Sequence, residues 1–171
     1  MTPPSGPVDS SVDLTIRPAA QADVLAVFRI ERAVFPQPWP FSAIERCLDA
    51  PAFLVAERAG EIVGYVIGDV TPNHGRDIGH VKDLAVAPDA RRQGLGRALL
   101  ARALSRFAAA GATIAKLEVR ATNAAALSLY RDVGFEVLRR LPRYYGDGDD
   151  ALVMVLDVPE WRERHRSDSN G

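Results

Sequence analysis

At 171 residues, 47% of them hydrophobic and 25% charged, the chain suits one ordinary globular domain with a full core and little left for a second. Twenty-one basic residues against 22 acidic ones leave a net charge of −1, which argues against a dedicated nucleic-acid binder. The single cysteine, Cys47, excludes an internal disulfide and fits a cytoplasmic chain, and no apolar run approaches the ~18 residues of a membrane span.

Residues 1–13 are rich in Pro, Ser, Gly and Asp and read as a flexible tail, without the basic start or apolar core of a signal peptide. A short strand is expected over 14–18. Val24, Val27, Phe28 and Val34 recur at helical spacing and predict a helix over 21–35. Three prolines in Phe35-Pro36-Gln37-Pro38-Trp39-Pro40 forbid its continuation. Ser42 is expected to open a second short helix reaching 49, with Cys47 as apolar filler. Residues 53–58 and 61–70 read as a β-hairpin across the Ala59-Gly60 turn. After a loop at 71–76, a strand over 78–86 ends before Pro88. A long helix over 92–110 carries Leu95, Leu99, Ala103 and Phe107 in an i, i+4 ladder and stops at Gly111. An alternating strand follows over 114–120. Asn123 caps a helix that runs to Val133 and stops at Gly134. Strands over 135–141 and 152–156 flank a polar loop. The polar end, 159–171, is expected to fray, with Trp161 tucking back. This order predicts a mixed α/β domain over 14–158 with antiparallel hairpins and crossover helices.

The strongest chemical signal follows the strand at 78–86. Arg91-Arg92-Gln93-Gly94-Leu95-Gly96-Arg97 leads from a turn into the long helix. Two glycines let a ligand approach the backbone. The unpaired N–H groups and dipole of the helix start favour an anion such as a pyrophosphate. Five arginines and no acid between 90 and 110 add positive charge. The other reading is a glycine-rich helix start with a solvated arginine face. The nucleoside-triphosphate loop is absent, and Leu99 stands where a dinucleotide fingerprint needs its third glycine.

Leu117-Glu118-Val119-Arg120 alternates, so Glu118 faces away from Leu117 and Val119. Partly desolvated, its carboxyl would have a raised pKa and suit base catalysis; otherwise it would pair with Arg120 on the same face. Tyr130 shares a helix face with Ala126, Leu127 and Val133 and reads as a packed core tyrosine. His80, a lone histidine in a strand, reads as structural. Tyr144 and Tyr145, beside Asp147, Asp149 and Asp150, would hold a peptide and a cationic amine, or form a polar turn with aromatic filler. His74 and His165 show no metal-ligand spacing to cysteines or acids, and no metal is expected.

The segment Arg91 to Gly96 resembles the acyl-coenzyme A pyrophosphate loop of the GNAT N-acetyltransferase superfamily, and the resemblance extends from about residue 15 to residue 158. It implies a largely antiparallel sheet splayed between the strands at 78–87 and 114–120, with helices on both faces. The pantetheine arm of acetyl-CoA would lie in that gap beside Leu84, Ala85 and Val86, with a backbone N–H near Val86 as oxyanion donor. Arg91, Arg92, Gln93, Gly94, Leu95, Gly96 and Arg97 would hold the pyrophosphate. Asn123 and Tyr130 would complete the coenzyme site. The same resemblance makes Tyr130 the general acid and Glu118 the base, with His80 sharing that role through a water, as in some archaeal relatives.

Tyr-Tyr-x-Asp-Gly-x-Asp-Ala-x-x-Met at 144–154 and Leu117-Glu118-Val119-Arg120-Ala121-Thr122-Asn123-Ala124-Ala125-Ala126 resemble the protein N-terminal acetyltransferases of ribosomal-protein-alanine (RimI) type. They imply a cytoplasmic N-α-acetyltransferase for protein N-termini, a ribosomal protein among them, acting as a monomer or weak dimer with no nucleic-acid or membrane partner. Phe35, Gln37, Trp39, Tyr144 and Tyr145 would line the slot for the substrate N-terminus. The loop at 36–40 has the longer archaeal form, and Gln37 replaces a glutamate that helps choose the substrate in some archaeal relatives, so a broader set of N-termini is implied. The alternatives are an acetyltransferase of the same fold for a small amine or a lysine side chain, and an acyl-coenzyme A-binding module without turnover.

Overall fold

A computed structural model describes residues 13–169. Its centre is a seven-stranded sheet in the order β1-β2-β3-β4-β5-β7-β6. The strands are β1 (Leu14–Pro18), β2 (Leu54–Arg58), β3 (Glu61–Thr71), β4 (Ile78–Val86), β5 (Ile114–Arg120), β6 (Glu136–Leu141) and β7 (Ala151–Asp157). The helices are α1 (Val24–Val34), α2 (Phe41–Glu45), α3 (Leu95–Ala109), α4 (Ala124–Val133) and α5 (Val158–Ser169). Neighbouring strands are antiparallel except β4 and β5, which are parallel because α3 carries the chain across between them.

Two features of β4 position everything that follows. It pairs with β5 only from Ile78↔Ile114 to Val81↔Leu117, and beyond that both strands continue unpaired with each other. The sheet therefore splays at its centre. In addition, β4 opposes β3 through Ile67↔Asp83 and then Gly68↔Val81, so Lys82 is the extra residue of a β-bulge. The bulge exchanges the faces of the strand. Before it, Gly79 and Val81 lie against the core under α3, and an added Cβ at Gly79 would fall 2.4 Å from the Phe107 ring. After it, Asp83 and Ala85 turn to the opposite face, towards α1. His80 and Asp83, three apart, thus share one face.

Two apolar cores flank the sheet. One gathers Leu99, Leu100, Leu104 and Phe107 of α3 with Leu117, Val119, Leu127, Tyr130 and Trp161. The other gathers Val24, Val27 and Ile30 of α1 with Ile44, Tyr65 and Ile67.

Four expectations need correction or a limit. The long helix begins at Leu95 rather than 92, because Arg92 (φ +64°) and Gly94 (φ +77°) adopt left-handed backbone that a right-handed helix excludes. The second helix begins at Phe41 after Pro40 and ends at Glu45, so Ser42 is not its cap. The polar C-terminal segment does not fray but is helical through Ser169, while Trp161 tucks into the α3 core as expected. The tail expected over 1–13 lies, apart from Asp13, outside the described residues.

Candidate active site

Strand β5 buries Leu117 and Val119 and turns Lys116, Glu118 and Arg120 to the other face. Glu118 is the first β5 residue past the last β4 pairing, so it stands where the strands part. There its Oε2 meets His80 Nε2 at 2.6 Å, and its Oε1 lies 3.6 Å from Lys116 Nζ. For that contact Nε2 carries a hydrogen, leaving Nδ1 of a neutral His80 as an acceptor. The hydrogen bond from His80 holds the Glu118 carboxyl below its ordinary value, against the opposing effect of burial. The raised pKa expected from desolvation is therefore overturned by a partner. Arg120 is not that partner, since it is committed elsewhere.

The coenzyme-side residues form a separate cluster at the start of α3. Gly94 is the residue before that helix, with no side-chain cap, and an added Cβ there would meet nothing within 4 Å. The N–H groups of Leu95, Gly96 and Arg97 have no acceptor within the helix by its geometry. Gly96 serves packing as well: a Cβ there would lie 3.3 Å from Leu129 of α4. Arg91, Arg92, Gln93 and Arg97 are exposed, while the Leu95 side chain is buried and offers only its backbone. Arg58 of β2 donates to the Gln93 side chain. Leu84, Ala85 and Val86 pair with β3 on one edge and with no strand among the described residues on the other. The open edge, the splay and the uncapped helix start fit an extended amide-bearing arm with a phosphate end. Asn123 caps α4 through Oδ1, 3.1 Å from the Ala126 N–H. Tyr130 is buried edge-to-face on Phe135, 6.0 Å between centroids, and burial raises its pKa, so it keeps its proton at neutral pH.

The two aromatic segments approach one another. A Cβ on Gly146 would lie 3.0 Å from Gln37 Nε2, so the α1–α2 and β6–β7 loops meet there. Phe35 and Trp39 are half-buried against the α1 core, and Tyr144 and Tyr145 meet edge-to-face at 5.0 Å. The aspartates nearby do not await a cation. Asp147 takes both oxygens to Arg120 Nη1 at 3.0 and 2.8 Å, Asp149 accepts from Thr122 at 2.7 Å, and Asp150 accepts from Arg140 at 3.1 Å. Arg120 also stacks over the Tyr145 ring at 4.1 Å. Asp147 and Asp149 pin their loop to the end of β5 and Asp150 ties it to β6, which corrects the expectation that they hold an amine.

Residues 24–135 match the model of the acetyltransferase (GNAT) family. The chain belongs to this family. An N-alpha-acetyltransferase of Sulfurisphaera tokodaii is 34% identical over 154 residues, 84% of this chain and 92% of its own length. The ribosomal protein bS18-alanine N-acetyltransferase of Escherichia coli is 33% identical over 152 residues, 84% of this chain and 97% of its own. Among solved structures, Ard1 of Thermoplasma volcanium superposes with a TM-score of 0.78 at 29% identity, covering 84% of this chain and 97% of its own.

In this acetyltransferase, sequence reasoning missed three residues. Glu31 of α1, Tyr65 of β3 and Asp83 of β4 form a buried polar cluster beneath the α1–α2 loop. The signals were present: Glu31 falls on the apolar stripe of Val24, Val27 and Ile30, and Asp83 sits in an otherwise apolar strand end. Among the described residues no group of three or more His, Cys, Asp or Glu is placed to hold a metal ion. No helix among them is long and apolar enough to cross a membrane.

Proposed function

We propose that this acetyltransferase moves an acetyl group from acetyl-CoA to the α-amine of protein N-termini. The observation that carries the reading is the 2.6 Å His80–Glu118 pair, standing where β4 and β5 part. The relatives named as N-terminal acetyltransferases support the choice of acceptor.

Acetyl-CoA is the co-substrate and supplies the acetyl group as a thioester. Leu84, Ala85 and Val86 would bind its amide-bearing arm, and the backbone from Gln93 to Arg97, with Arg91 and Arg92, its pyrophosphate. The acceptor amine bonds to the carbonyl carbon as the C–S bond breaks. Its proton passes to Glu118, with His80 sharing it. Tyr130 gives its hydroxyl proton to the departing sulfur and regains one from solvent. An N–H near Val86 would hold the oxyanion. Phe35, Gln37, Trp39, Tyr144 and Tyr145 would line the acceptor slot. Neutralised aspartates at its mouth disfavour a polyamine, which would seek unpaired acids. The ribosomal-protein-alanine specificity of the Escherichia coli relative is one candidate within a broader range of N-termini.

Glu118→Gln and Tyr130→Phe should each cut turnover at least ~10²-fold while acetyl-CoA still binds. Near-normal turnover in both would remove the assigned roles. A panel of N-terminal peptides, free amino acids and polyamines tests the acceptor class. Acetylation of polyamines with peptides untouched would favour the small-amine reading, and coenzyme binding with no acetylation of any amine would favour a binding module.

A further inference from the structure

The cluster of Glu31, Tyr65 and Asp83 is not needed by the chemistry just described, yet it ties the two halves of the site together. Glu31 is 1% exposed, and both of its oxygens are used. Oε2 accepts from the Tyr65 hydroxyl, and Oε1 accepts the backbone N–H of Trp39 at 3.0 Å. Trp39 belongs to the loop whose Gln37 touches Gly146. On its other side, the Tyr65 hydroxyl lies 3.2 Å from Asp83 Oδ2. Asp83 immediately follows the β4 bulge and precedes Leu84 to Val86. A phenol has one proton to donate, so two flanking carboxyl groups are both satisfied only if one of them is protonated. Burial and the nearby Glu31 push Asp83 up to about 9, which assigns the proton to Asp83. The chain of donation then runs from Asp83 to Tyr65 to Glu31, and the Glu31 carboxylate is left to hold the loop.

We propose that Glu31 is a positioning residue for the acceptor: oriented by Tyr65 and Asp83, it fixes the proline-rich loop through the Trp39 N–H and thereby sets the shape of the acceptor slot. The geometry favours this over a purely structural role. A core carboxylate serving packing alone would be better replaced by an apolar group, whereas this one spends its second oxygen on a loop amide. The inference rests on the loop at 36–40 being part of the acceptor slot.

The test uses the full chain and three near-isosteric variants. Glu31→Met offers no strong acceptor to either Tyr65 or the Trp39 N–H, whereas a glutamine could keep the Trp39 contact by donating its amide to Tyr65 and letting Tyr65 donate to Asp83. We expect the KM of Glu31→Met for an N-terminal peptide to rise about tenfold, with KM for acetyl-CoA and kcat each within about threefold of the parent. Tyr65→Phe should shift the peptide KM in the same direction by about threefold. Asp83→Asn, whose amide donates to Tyr65 as the protonated acid does, should leave it unchanged. Hydrogen exchange at the Trp39 amide gives a readout independent of turnover: it should quicken about tenfold or more in Glu31→Met while amides of β4 keep their protection. Unchanged peptide KM and unchanged Trp39 exchange in a folded Glu31→Met protein would overturn the proposal. If that variant does not fold, unaltered Trp39 exchange and peptide KM in Tyr65→Phe would overturn it equally. Should the parent enzyme acetylate small amines or lysine instead of N-termini, the functional reading fails separately. The same KM comparison, made with that acceptor, then decides the role of Glu31.

Discussion

Two carboxyl groups on one face of the sheet, Glu118 of β5 and Asp83 of β4, behave in opposite ways. Where β4 still pairs with β5, His80 hydrogen-bonds Glu118 with Lys116 near, and the carboxyl is held below its ordinary value. Past the bulge, Asp83 sits buried beside a second carboxyl, and burial and that carboxyl push it up to about 9 against the hydrogen bonds of Tyr65 and the Leu84 backbone. Two carboxyl side chains so close in the fold differ because of who faces them. The first is held towards its charged form where the strands part, and the second is pushed towards its neutral form beneath the α1–α2 loop.

The comparison can be broken most severely at the cleft. Replacing Glu118 by Gln should lower turnover at least ~10²-fold, read as steady-state kcat on a peptide with a free α-amine. His80→Gln keeps a donor towards Glu118 but loses the imidazole acceptor, and turnover should fall about tenfold. Next comes β4, which carries His80 and Asp83. Gly79→Ala drives a Cβ into the Phe107 ring at 2.4 Å, which should cost about 1–3 kcal/mol of stability by urea unfolding.

The opposite pKa directions sharpen the contrast through pH. Because Glu118 is lowered in the fold, its contribution to stability is present above the ordinary carboxylate value and is lost as pH falls through its folded value. For Asp83 the sign reverses. Between its ordinary value and about 9 the folded chain retains a proton that the unfolded chain has released, so stability declines as pH rises across that range. Asp83→Asn removes this dependence. Its stability relative to the parent should grow from pH 5 to pH 9, reaching at least about 1 kcal/mol at the upper end. Equal stability differences at both pH values would show that Asp83 is ionised in the fold. The smallest effect is expected at the loop. Asp147→Asn loosens an exposed contact to Arg120 and should raise the peptide KM less than about threefold, more at low salt than at high.

Much of the scaffold was legible from local pattern. The bounds of β4 and β5, the Asn123 cap and the face of Glu118 follow from alternation and capping chemistry. What local pattern could not supply was pairing between distant segments. The His80–Glu118 contact depends on the parallel register of β4 and β5, 38 residues apart in sequence. Arg120 looked like a partner for Glu118 by adjacency, but the β6–β7 loop brought Asp147 to it instead. The bulge at Lys82 reverses the face of Asp83 with no glycine or proline to announce it. The α5 helix has a polar sequence and forms where Trp161 reaches the core under α3.

The most direct test of the central claim uses one peptide with both a free α-amine and an internal lysine, incubated with the full chain and acetyl-CoA. Tandem mass spectrometry then locates the acetyl group. The account predicts that it sits on the α-nitrogen and disappears in Glu118→Gln. Acetylation on the lysine Nζ, or undiminished α-acetylation in Glu118→Gln, would contradict it.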